Sequence, residues 1–240
     1  MTSADKTPRH HRPVKFSTEK FEHYTGGEDP AALNLAAHES AHAIVHRGRA
    51  AADPHATERL VAFTDVFGLE TIAAMWKHAP ALSLPGALWR MYALRDTVRK
   101  NPTKIARFYE RGMHTDWTAR VVSGVADPPS EHEIVVTADQ ILTGAYTGEF
   151  DIALERFGAF CRVVAAGQVA TARSIEPGTL RSEHAFQDTA PRHPHSAPSH
   201  EVRTEAASRA RALEEHARNL TGTAVELETC AAKWRAGTLA

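Results

Sequence analysis

Cysteine is nearly absent: Cys161 and Cys230 are the only two in 240 residues, and they form no CxxC pair. That excludes a sulfur-rich zinc site and a disulfide framework. Two free thiols fit a reducing cytoplasm. Long apolar runs are absent as well. No stretch reaches the roughly 18 residues that a membrane-spanning helix needs. The opening MTSADKTPRHHRPVK lacks the apolar centre of a secretory signal. Neither sign of charge prevails, with 28 basic against 29 acidic residues, so nothing draws the whole chain to nucleic acid or to an anionic membrane. No internal repeat occurs. These absences predict a cytoplasmic chain with no membrane contact.

What is present is mostly helical pattern, in four pieces. Residues 1–27 are polar, basic and broken by prolines, and read as a flexible N-terminal tail. Residues 28–176 hold the core. Residues 177–200, rich in Pro, Ser and His, read as a loop, and 201–240 as a C-terminal helical segment packing on the core. Within the core, Asp29 is a good N-cap and Pro30 suits the first position of a helix. That helix is expected to run to His46 and to close at Gly48. ERLVAFTDV at 58–66 reads as a short strand, and EIVV within the ambiguous stretch 131–148 is also strand-like. Residues 69–78, 86–100 and 103–126 read as helical, the last bent near Gly112. Residues 149–173 make a strong helix, with Phe150, Ala153, Leu154, Phe157, Phe160 and Val164 at helical spacing. Residues 201–235 read as a helical pair broken near Thr221-Gly222. The predicted class is mainly α with a small β element.

The run His38-Glu39-Ser40-Ala41-His42 matches H-E-x-x-H. On a helix of 3.6 residues per turn, His38 and His42 project from one face, one turn apart. Two imidazoles so placed can share one Zn²⁺ at about 2.0–2.1 Å. Glu39 then stands beside the metal, where a general base must be to take a proton from zinc-bound water. The competing reading of the same residues is two surface histidines on an ordinary helix. His46 continues the series but has drifted round the axis, to a supporting position or an exposed one. A catalytic site needs a third protein ligand. No HExxHxxGxxH extension follows, so the third ligand must lie farther along the chain.

AAHESAHAIVH, residues 36–46, resembles the zinc-binding helix of the peptidase domain in the FtsH-like, membrane-anchored AAA+ zinc proteases, where the motif typically reads HEAGHA. TGAYTGEFDIALERF, residues 143–157, is similar to the family stretch that reads roughly TGASNDLERA, and residues 201–229 resemble its terminal helices. The resemblance implies a zincin-like helical metallopeptidase domain with Zn²⁺ as cofactor. It implies Asp151 as the third ligand beside His38 and His42, with Glu39 catalytic. Asp151 also reads as a helix cap, and Glu131, His132, Glu133 and Asp139 are rival ligands. Ala41 stands where the family has Gly, and the separation from His42 to Asp151 is longer than the family's. The ATPase module and the transmembrane segments have no counterpart in these residues. The implied activity is therefore ATP-independent hydrolysis of a peptide or protein substrate, with a separate unfoldase or a homo-oligomer as partners. The alternatives are a non-catalytic helical protein-binding module on the same scaffold and a metalloenzyme acting on a small molecule.

Overall fold

The helix predicted from the spacing of Phe150, Leu154, Phe157 and Val164 is the axis of the structure. The computed structural model describes residues 29–51, 54–127, 129–175 and 200–240, and these form ten helices with no strand among them. In chain order they are α1 (Pro30–Ala51), α2 (Pro54–Val61), α3 (Phe63–Phe67), α4 (Leu69–Trp76), α5 (Leu84–Lys100), α6 (Pro102–Gly112), α7 (Trp117–Ser123), α8 (Glu131–Thr147), α9 (Phe150–Ile175) and α10 (His200–Arg235). The mainly α class stands, and the small β element does not. No helix among the described residues is long and apolar enough to cross a membrane.

Both predicted strands are helical, for visible reasons. Across 58–66 the buried side chains are Val61 and Thr64, preceded by Thr57, which is helical spacing. EIVV lies in α8, where Ile134, Thr137, Ala138, Ile141, Leu142, Ala145 and Tyr146 form one buried stripe. A short β-branched run cannot itself decide between strand and helix; here the capping box decides. Ser130 Oγ accepts from the Glu133 amide, and the Glu133 carboxylate accepts from the Ser130 amide.

The other boundaries follow the same logic. Asp29 Oδ1 accepts the Ala31 amide at 3.0 Å, and α1 runs through Gly48 to Ala51. A single glycine weakens a helix without stopping it. Ser83 caps α5. Residues 103–126 resolve into two helices rather than a bent one. Gly112 ends α6, and Asp116 caps α7 by accepting the Ala119 amide. α10 is continuous through Thr221 and Gly222; the Thr221 hydroxyl donates back to Ala217 O, and Gly222 faces open space.

α9 is buried nearly all round its middle, which marks a central helix. α10 lies antiparallel along it. Arg235 reaches Asp151 and Glu155 near the start of α9, and Glu228 takes two 2.6 Å bonds from Arg162 one stretch further on. The α10 face toward α9 carries Ala210, Ala217, Ala224 and Ala231, all buried and seven residues apart. α6, α7, α8 and α5 complete the ring around α9, and α1 to α4 cover the outer side of α5 and α8. Both cysteines are buried and free.

The crossing of α6 and α9 is the tightest contact. A methyl on Gly112 would overlap the Val163 carbonyl, and one on Gly167 would overlap the Phe108 carbonyl. Backbone meets backbone there, which only glycine permits. Gly167→Ala should lower the unfolding free energy by about 1–3 kcal/mol or more, the range of overpacked sites. Gly222→Ala, in an open helical position, should raise it by about 0.5–1 kcal/mol. Urea denaturation of the two variants checks this. A Gly167→Ala midpoint at or above wild type would mean the two backbones do not touch.

Candidate functional site

The HESAH run sits in mid-α1, and packing accounts for half of it. Ala37, Ala41 and Val45 form the buried stripe of α1 against α5 and α8. Ser40 is half-buried. Its hydroxyl donates to Ala37 O and accepts the indole N–H of Trp76 at 3.0 Å, which ties α1 to α4. Small residues at 40 and 41 are therefore what close packing on this face demands.

His38 and His42 lie on the flank beside that stripe, half-buried, while Glu39 and His46 are exposed. The His42 ring stacks nearly parallel on His46, with centroids 5.7 Å apart.

Asp151 does not come to this flank. It lies in the first turn of α9, and its carboxylate accepts Arg235 Nε at 2.7 Å. Burial pushes the Asp151 carboxyl up, but the Arg235 hydrogen bond, the Arg235 charge and the backbone amides at the start of α9 together outweigh this and hold it below the ordinary range. α1 rests on α2, α4, α5 and α8, whereas α9 rests on α5 to α8 and on α10.

Two rival ligands are committed elsewhere as well. Asp139 accepts from Arg95 Nε at 2.7 Å and from Arg99 Nη1 at 2.8 Å. The Glu133 carboxylate caps its own helix, and the Ser130 amide holds its carboxyl below the ordinary range. Glu131 and His132 are exposed in the first turn of α8. Among the described residues no three His, Cys, Asp or Glu side chains converge as a metal site. The donor set present, two imidazoles, does not complete a catalytic zinc centre.

Two buried polar networks have no counterpart in the sequence reading. Arg95, 1% exposed, forks onto Asp65 with bonds of 3.0 and 2.8 Å, and also donates to Thr64 and Asp139. The Arg95 hydrogen bond outweighs burial and holds the Asp65 carboxyl low. This guanidinium pins α3 and α8 to α5. Nearby, the Tyr92 hydroxyl donates to Leu60 O and lies 2.6 Å from the Tyr146 hydroxyl. Burial pushes Tyr92 up to about 12. Both networks are built of committed hydrogen bonds rather than free groups.

A concavity of about 760 Å³ lies elsewhere, between the start of α7 and the α9–α10 pair. Its floor is Ala165, Ala166, Val169 and Ala217, and its rim carries Asp116, Glu214 and Arg218. Trp117 borders it and is 68% exposed, with the Arg120 guanidinium 4.8 Å over its ring. Val121 and Val122 continue the exposed apolar face of α7. A lone Trp after an Asp cap was the available signal, since neither residue belongs to a core stripe.

Comparison of the chain with protein-family models, with curated proteins and with solved structures finds no match.

Asp151→Ala is expected to leave the protein folded, with a thermal midpoint close to wild type, and to leave any zinc content unchanged, because the side chain serves an exposed ion pair. Loss of bound zinc in this variant alone, measured by elemental analysis, would return Asp151 to the metal.

Proposed function

We propose that the chain is a non-catalytic helical binding module that docks a peptide segment of a protein partner in the groove between α7, α9 and α10. One observation carries the reading: Trp117 stands largely exposed beside a floor of alanine and valine. An apolar floor with a polar rim is the anatomy of a recognition surface, and its volume is that of a ligand site. Trp is among the residues that dominate binding energy at such surfaces, and Trp117 supplies it here. Arg162 is already neutralised by Glu228. The remaining rim charges are Asp116, Glu214 and Arg218, with acid in excess. The matching segment carries an apolar anchor flanked by Lys or Arg.

A second reading keeps the zinc hydrolase and the likeness to FtsH-type peptidase domains. It is favoured by the shared flank of His38 and His42, with Glu39 between them in sequence. It requires a third ligand that the described residues do not bring. Close to one zinc per chain after re-addition, lost in both His38→Ala and His42→Ala, would support it over the binding module.

The first reading is tested by selecting ligands from a random peptide display library. Selected peptides should be rich in apolar anchors next to Lys or Arg. They should bind wild type and lose at least about tenfold, or 1.4 kcal/mol, on Trp117→Ala and on Ala166→Arg. Peptides indifferent to both substitutions, or no enrichment at all, would remove the groove from the account.

A further inference from the structure

Seven arginines of the described residues are held in ion pairs. Arg90, Arg95, Arg99, Arg120, Arg162, Arg209 and Arg235 each meet a carboxylate. The exposed face of α6 carries three cations in succession outside this set. Lys104, Arg107 and Arg111 follow one another at spacings of three and four, and none has a carboxylate partner among the described residues. Such spacing puts all three on adjoining turns of one helical face.

They line a groove of about 360 Å³ on the flank of the α6–α9 crossing, with Thr103, Phe108 and Thr171 completing it. No acid lines it. Arg111 is held in place, because its Nη1 donates to Thr171 Oγ1 at 2.9 Å while that hydroxyl gives its proton to Gly167 O at 2.7 Å. Lys104 Nζ lies 5.8 Å from the centre of the Phe108 ring. The Thr103 hydroxyl makes no hydrogen bond among the described residues.

We propose that this groove binds a small molecule bearing a diphosphate. Three cations without a carboxylate partner among the described residues match the charge of a diphosphate group. Two guanidinium forks and an ammonium suit phosphate oxygens, the forks pairing two oxygens at once. The volume is at the lower end of small-ligand sites, which fits a compact ligand rather than a polymer. The site is separate from the Trp117 groove and does not rest on the peptide-binding reading.

The test is calorimetric titration of the full chain with inorganic pyrophosphate at physiological salt. Binding is expected below about 1 mM, weakened at least about tenfold by Arg107→Ala and by Arg111→Ala, the scale of a charge-assisted bond. Thr103→Val should weaken it less. Arg211→Ala, an exposed arginine on α10 outside the groove, should leave it unchanged. Circular dichroism and melting of each variant must match wild type; if the alanine variants are unstable, Lys104→Gln serves as the second probe with the same expected loss. No heat at millimolar pyrophosphate, or equal affinity in the groove variants and wild type, would overturn the proposal. A single-stranded oligonucleotide that binds far more tightly through the same three residues would also overturn it, by making the face a nucleic-acid surface.

Discussion

Everything in this fold leans on one close approach of two backbones. Where α6 crosses α9, Gly112 and Gly167 leave no room for a side chain, and the helices meet carbonyl against α-carbon. That contact sets the depth at which α9 lies. With α9 in place, its remaining faces can accept α10 through a row of alanines, and α7 and α8 through larger apolar groups. Small residues at contacts and large ones between them give dense packing without voids. The grooves on either side follow from the same geometry, since closely packed helices with short side chains leave troughs along their flanks.

Much of this was legible locally. The cap and proline at Asp29-Pro30, and the apolar spacing from Phe150 to Val164, each led to a real helix. The errors share a cause. ERLVAFTDV and EIVV are rich in β-branched residues, and short windows favour a strand. The Ser130–Glu133 box is a local signal for helix that outweighs EIVV, and it stands in the sequence three residues apart. Thr221-Gly222 misled because a glycine on an exposed helical face costs too little to end a helix already packed along its other side.

The candidate site was legible only in part. The placing of His38 and His42 one turn apart follows from helix geometry, and both stand half-buried in α1. Asp151 depended on α9 lying beside α1, a tertiary placement that no local pattern sets. In the fold that carboxylate belongs to Arg235, from a segment far along the chain. Arg95 shows the converse. Mid-helix arginine reads as a solvated residue, yet its partners Asp65 and Asp139 come from two other helices and bury it between them. Such a group is strongly destabilising to break, because a charge would be left buried and unpaired.

The backbone of Ala240 closes a long circuit. Its carbonyl accepts the Leu84 amide at 2.7 Å, next to the start of α5, and Glu226 meets Arg90 one and a half turns further along that helix. Although the molecule is entirely helical in its described parts, these contacts join residues very distant in sequence. Helical bundles fold fast when their contacts are local, and the rate falls as the mean loop between contacting residues lengthens. The contacts at Leu84 and Arg90 therefore form only once the far end of the chain has reached α5, and until α10 packs on α9 the alanine row of the one and the apolar side of the other stay uncovered.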